Sequence, residues 1–238
     1  MELAQAKITY LAHSGFSVET ANHFFLFDYC PSMDRVPQIT ADFLRAKENV
    51  VVFVSHSHGD HFDAAILKWA ETNPAITYVF SSDIHVKGGK QKCHFMNPYE
   101  QWEDGQLEVR TFGSTDAGVS FWLRADGLTI FHAGDLNWWR WSGETQAEQD
   151  FADRFFIEEM EKLPSEQIDI AFFPVDRRLE ENYALGAEYF AKKMQPKLLA
   201  PMHFGADFAA TKAFREKVAG TGLATVEILR KGQVFFFP

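Results

Sequence analysis

Two cysteines, Cys30 and Cys93, are all that 238 residues contain, too few for a disulfide framework and consistent with a reducing compartment. No apolar run reaches 18 residues, so no membrane-spanning helix is expected. The stretch from Met1 to Lys7 carries a glutamate and lacks the apolar core of a signal peptide, which makes a cytoplasmic location the expectation. Repeats, low-complexity tracts and linkers rich in Pro, Gly or Ser are missing too, and residues 1–238 therefore read as a single domain. Basic residues are outnumbered, 23 Lys and Arg against 33 Asp and Glu, for a formal net charge of -10. That balance argues against a nucleic-acid partner, because neutralising phosphates needs a basic surface. A small molecule remains as the expected partner, with no membrane association, and composition sets no oligomeric state. What is abundant is core material, 46% hydrophobic residues including 24 phenylalanines, enough to bury a large interior.

The densest chemistry lies in Ser55-His56-Ser57-His58-Gly59-Asp60-His61. It follows the β-branched run from Asn49 to Val54, which reads as a buried strand, and precedes an amphipathic stretch from His61 to about Thr72. Side chains alternate along an extended segment, so His56 and His58 point the same way and can share one ion. Asp60 and His61 then turn toward the same cavity from another side. Three imidazoles and a carboxylate suit zinc, manganese or iron rather than copper(I) or calcium.

This pattern resembles the metal-binding motif of the metallo-β-lactamase superfamily, and three other segments match that family in order. Asp28, ending the strand-like run from His23, matches the structural aspartate that supports the metal loop. Phe131-His132-Ala133-Gly134-Asp135 matches the Gly-Asp segment whose carboxylate bridges two metals. Pro201-Met202-His203-Phe204-Gly205 matches the late histidine of the second metal site. The resemblance implies one or two divalent ions, zinc first with manganese or iron as alternatives, on His56, His58, Asp60, His61, Asp135 and His203. One position departs. The segment from Thr111 to Phe121 aligns with one that normally carries a histidine four residues in, where this chain has Ser114. Asp116, two residues on, faces the same side of an extended strand and can supply an oxygen instead; alternatively both residues end a turn after Gly113.

Strands are expected near 7–11, 16–20, 23–28, 50–54, 77–80, 107–112, 118–124, 128–131, 169–174, 197–201, 225–229 and 233–237. Helices are expected at about 39–48, 61–72, 145–162, 183–194 and 207–219. Periodicity alone gives a mixed α and β protein; the resemblance implies an α+β four-layer αββα sandwich with metals at the sheet edge between its halves.

The reading that follows is a metal-dependent hydrolase of a small-molecule ester, lactone or phosphodiester. Asp60 and Asp135 can orient water or accept its proton, and His13 and His132 can act as general acid. His13 stands where relatives in the ascorbate-phosphate lactonase branch carry a histidine; a supporting role is the alternative for it, and packing beneath Asp135 for His132. Trp138-Trp139-Arg140-Trp141 either walls a pocket or anchors a loop. Arg177 and Arg178, or Lys87 and Lys90, can clamp an anion, while Asp176 suits an ion-pair latch or a partner for a ligand histidine. The competing functions are a di-iron redox protein of the same fold and a catalytically weak metal-binding or sensing protein.

Overall fold

The computed structural model describes residues 5–86 and 92–238, and Lys87 and Lys90 lie outside them. The chain divides into two compact units, Met1–Asn97 with Arg230–Pro238, and Pro98–Leu229. No described helix is long and apolar enough to cross a membrane.

The first unit is built on a seven-stranded mixed sheet. Its strands are β1 (Ala6–Ala12), β2 (Gly15–Glu19), β3 (Phe24–Phe27), β4 (Val50–Val54), β5 (Thr77–Ser81), β6 (Lys92–Met96) and β13 (Val234–Phe237). They lie in the order β13-β1-β2-β3-β4-β5-β6. The first three strands and β13 pair antiparallel, whereas β3 to β6 are parallel. All five residues of β4 are buried, as a continuous Val and Phe run covered on both faces should be. A short α1 (Ala41–Arg45) is capped by the Thr40 side chain, and a 3-10 turn at Ala64–Lys68 runs into α2 (Trp69–Thr72). Leu26, Val52, Val54, Ile66 and Phe80 are fully enclosed in one cluster of this core.

The second unit carries a six-stranded sheet of β7 (Gln101–Glu103), β8 (Glu108–Gly113), β9 (Val119–Ala125), β10 (Leu128–His132), β11 (Ile170–Pro174) and β12 (Leu198–Met202), in the order β12-β11-β10-β9-β8-β7. Here β10, β11 and β12 are parallel and the others antiparallel. The β9–β10 hairpin turns on Asp126 and Gly127, both at positive φ, the backbone a two-residue hairpin loop of matching twist requires. Three α-helices, α3 (Gln146–Glu161), α4 (Leu185–Met194) and α5 (Ala209–Lys217), and a 3-10 turn at Arg177–Asn182 complete the unit. A capping box between Thr145 and Glu148 starts α3, satisfying two otherwise idle donors.

Two mixed sheets with helices make the class α+β, as expected. Several element boundaries differ. The stretch 225–229 forms no strand, only an isolated bridge from Thr225 to Leu199. Conversely, β6 and β7 were not anticipated: both are edge strands with largely unburied side chains, so neither carries the apolar alternation by which a strand is read. The helix expected over 39–48 spans Ala41–Arg45, and the one expected over 61–72 starts at Ala64, where the Asp63 side chain accepts the Ala65 amide.

In each sheet the residues named above leave from one end of co-directional strands. His13 follows β1, Asp28 follows β3 and His56 stands two residues past β4; in the second unit Asp135, Asp176 and His203 stand just beyond β10, β11 and β12. Outside the carboxyl ends of parallel strands is where open sheets place their ligands. The β1–β2 turn that holds His13 has no room for a larger residue at Gly15, where a Cβ would lie 2.9 Å from the carbonyl oxygens of both Ala12 and Asp28. Gly15→Ala is expected to destabilise the protein by roughly 1–3 kcal/mol, read as a lower denaturation midpoint at unchanged slope; an unshifted midpoint would show that the turn adapts.

Candidate metal centre

In the first unit, Asp28 organises the histidine loop. It is fully buried and stands at φ 41° immediately after β3. One carboxylate oxygen accepts the Ser55 amide at 2.8 Å, and the other accepts the Ser55 hydroxyl at 2.7 Å and His61 Nδ1 at 2.7 Å. Having donated to Asp28, the Ser55 hydroxyl is an acceptor for His56 Nδ1, 3.0 Å away. Both buried imidazoles are thereby held as the Nδ1–H tautomer, with the lone pair on Nε2, as metal-ligating histidines usually are. The rings of His56 and His61 are 4.0 Å apart, and those of His56 and His58 4.5 Å. Ligand atoms of His56, His58 and Asp60 lie within 4.8 Å of one another. His13, buried and at φ 52°, sets its ring edge-on to His61 and its Nε2 3.4 Å from Asp60.

Two further residues pin the same loop. Asp83, beyond β5, accepts the Ser57 amide at 2.9 Å; burial works against its charge, but hydrogen bonds from Ser81 and Ser57 outweigh it and hold the carboxyl below its ordinary range. Cys30 donates its thiol to the Gly59 carbonyl at 3.0 Å. Neither residue was singled out from sequence, since a contact across some thirty residues leaves no local spacing to read; the one available sign is that each closely follows a strand-like run.

In the second unit, Asp176 does for His203 what Asp28 does for His61. Its Oδ2 accepts His203 Nδ1 at 3.0 Å, and Arg178 holds both of its oxygens. Asp176 thus pairs with Arg178 and hydrogen-bonds His203 through the same carboxylate. His203 stands at φ 64° after β12, with Nε2 3.4 Å from Asp135 Oδ1. Ligands about 2.0–2.1 Å from a tetrahedral ion sit roughly 3.3 Å apart, so this spacing is one an ion can bridge without rearrangement. Burial disfavours a charged His203, but the hydrogen bonds to Asp135 and Asp176 prevail and raise its pKa to about 9. The same partnership, against the opposing effect of its own burial, drives Asp176 far below the usual carboxylate range. These surroundings call for a positive charge at the His203 ring. The donor chemistry of the first unit thus fits a divalent cation, and the second unit supplies two further donors, Asp135 and His203.

Asp135 is positioned by backbone. Gly134 takes φ 55°, and its amide donates to Nδ1 of the wholly buried His132, which packs against Phe172. Thr115 donates to the Asp135 carbonyl and accepts the Asn137 amide. Ser114 accepts the Asp116 amide at 3.2 Å, the turn that was one of its two readings, while a carboxylate oxygen of Asp116 lies within 4.8 Å of one from Asp135. Arg177 pairs with Asp207.

A family model described as a β-lactamase superfamily domain matches residues 7–150. Over 248 residues the chain is 25% identical to a Pelotomaculum thermopropionicum protein named as a metal-dependent hydrolase, covering 95% of this chain and 98% of that protein. Igni18, a metallo hydrolase from the archaeon Ignicoccus hospitalis, superposes with a TM-score of 0.69 at 21% identity over 98% of each chain. CmlA, a diiron β-hydroxylase from Streptomyces venezuelae, superposes with a TM-score of 0.63 at 12% identity over 99% of this chain and 55% of CmlA. At such identities the structural likenesses establish the fold and leave the chemistry to be argued from the site.

Two measurements test the carboxylate supports. Asp28→Ala strands the Ser55 and His61 donors, and should destabilise the fold by roughly 1–3 kcal/mol and weaken metal affinity about 10 to 100-fold; a variant with wild-type metal affinity would deny Asp28 its orienting role. In protein stripped of metal by a chelator, His203, with a folded pKa of about 9 against an ordinary 6.5, contributes stability fully below pH 6.5 and loses it as pH rises through 9. Denaturation midpoints should fall across that window in the wild type and stay flat in His203→Gln.

Proposed function

The chain belongs to the metallo-β-lactamase superfamily, and on that premise we propose that it is a hydrolase of a small-molecule ester, lactone or phosphodiester. Its proposed ligands are His56, His58, Asp60, His61, Asp135 and His203, for one or two ions, zinc in the first place. The observation that carries the reading is His203, turned by Asp176 so that Nε2 faces Asp135 at 3.4 Å. Divalent ions there would acidify water enough to furnish a nucleophile near neutral pH and polarise the bond it attacks.

The chain's own residues do the rest. Asp60, half-exposed and 3.4 Å from His13 Nε2, is placed to take the proton of the attacking water, and His13 to pass it toward the leaving group. His132, sealed under the Asp135 turn, serves as its support rather than as an acid. Asp116, a carboxylate oxygen of which lies within 4.8 Å of one from Asp135, offers an anionic oxygen where Ser114 has only a neutral hydroxyl. That the fold also carries a diiron hydroxylase means the scaffold alone does not choose between hydrolysis and redox chemistry. The ligand set supports hydrolysis: three of its six members are imidazoles on the 56–61 loop, a donor set that accommodates zinc and water activation as well as manganese or iron. The relative named as a metal-dependent hydrolase supports the same choice. Residues 1–238 act in this reading as one catalytic domain, since the matched segment 7–150 runs from the first unit into the second. A cytoplasmic setting accords with two free cysteines, one of them, Cys30, holding the metal loop as a thiol.

The test is metal content of protein purified without added metal, followed by a panel of esters, lactones and phosphodiesters, on wild type and three variants. Asp135→Ala and His203→Ala should each lose bound metal and lower kcat/KM by at least about 10²-fold. His132→Ala should retain some turnover at reduced stability. Asp135→Ala with full metal and near-normal rate would sink the assignment.

A further inference from the structure

The segment after Asp135 is crowded with aromatic side chains, and the structure separates them into two groups. Trp138 faces the helices: its indole N–H donates to Asp153 at 2.7 Å, and its ring stacks on Phe156 at 5.0 Å and meets Tyr189 edge-on at 5.7 Å. Arg140 joins it by pairing with Asp153 and donating to Gln149. These two residues anchor the loop. Trp139 and Trp141 take the alternate positions. Half-buried, they lie parallel to one another, 10° apart in plane with centroids at 6.2 Å. Trp139 and the His203 ring meet edge-to-face with centroids 5.2 Å apart, and the Trp139 N–H donates to the Asp135 carbonyl at 2.9 Å. The Arg178 guanidinium lies 5.9 Å from the Trp141 ring. The indole pair therefore runs outward from the proposed ligands to a cation.

The backbone beneath the pair is fixed. Asn182 donates to the Arg140 carbonyl at 3.0 Å, Gln149 to the Trp141 carbonyl at 2.9 Å, and the Arg140 amide to the Trp138 carbonyl at 2.8 Å. Large flat apolar faces left partly in water beside a reactive centre, on a loop that need not reorganise, are what a preorganised binding site presents. We propose that Trp139 and Trp141 form the substrate-recognition face of the centre, and that the substrate carries a flat apolar ring next to the bond to be hydrolysed. This rests on the hydrolase reading above, and deepens it by naming the substrate class. The ring stacks offset on the indoles, the geometry aromatic pairs favour, and so aims the neighbouring bond toward Asp135 and His203.

The experiment uses metal-loaded protein and two probes with the same carboxylate, phenylacetate and acetate, followed by calorimetry and by quenching of tryptophan fluorescence. Wild type should bind phenylacetate roughly tenfold or more tighter than acetate. Trp141→Leu should abolish that preference with acetate affinity and metal content unchanged, and Trp141→Phe should restore most of it. A wild type without ring preference overturns the proposal, as does a Trp141→Leu variant that keeps it; if that variant does not fold, the wild-type comparison still decides. Because no arm needs turnover, the two readings fail separately. Ring preference in a protein that hydrolyses nothing on the panel removes the hydrolase and spares the aromatic face. Hydrolysis of esters without ring preference does the reverse.

Discussion

A carboxylate withdrawn from water must find hydrogen-bond donors for both oxygens, and in this protein two such carboxylates decide what the surrounding loops can be. Asp28 takes its donors from Ser55 and His61, so the chain after β4 has to return toward the end of β3 before it continues. Asp176 takes its donors from Arg178 and His203, which ties the end of β12 to that of β11. In each case the imidazole gains a fixed direction, and in His61 a fixed tautomer as well. Its ability to ligate follows from the carboxylate's need to be satisfied.

Strands make this economical, because a sheet is a ruler. Adjacent parallel strands end about 4.8 Å apart, and a residue one or two positions past the end inherits that spacing. Three of the residues used in this way, His13, Asp28 and His203, adopt positive φ as non-glycines. That backbone is uncommon for residues carrying a side chain, and it clusters where function needs an abrupt change of direction. Here it turns a side chain across the end of the sheet instead of along it.

How much of this could be read in advance follows the range of each interaction. The 55–61 loop was legible because its groups are contiguous and follow an unmistakable buried strand. Asp28, Asp135 and His203 are single residues scattered along the chain, and only the order of family motifs picked them out. Asp176 stood out for its place between a buried strand and two arginines, and it is held by Arg178 and accepts from His203. Asp83 and Cys30 were invisible, since each holds the metal loop from a distant segment through one hydrogen bond. The central strands agree with expectation to within a residue or so. The edge strands β6 and β7 escaped because an edge asks little of its side chains, and 225–229 misled because its apolar residues do not sit in a continuous ladder. In the 138–141 segment, density of tryptophan was plain from the start, but the division of labour within it depends on which ring meets Phe156 and which meets His203.

The pairing of β1 with β13, in which Ala6 stands opposite Phe237, has a bearing on how the chain is born. A ribosome extends a chain at roughly 5–20 residues per second, so β13 emerges on the order of ten seconds or more after the strand it must cover. Until then β1 has β2 on one side and a bare edge on the other, with Ile8 and Tyr10 among its side chains. A nascent strand of that composition is open to pairing with a neighbouring chain on the same polysome, and protecting it is a task for whatever meets the polypeptide at the exit tunnel.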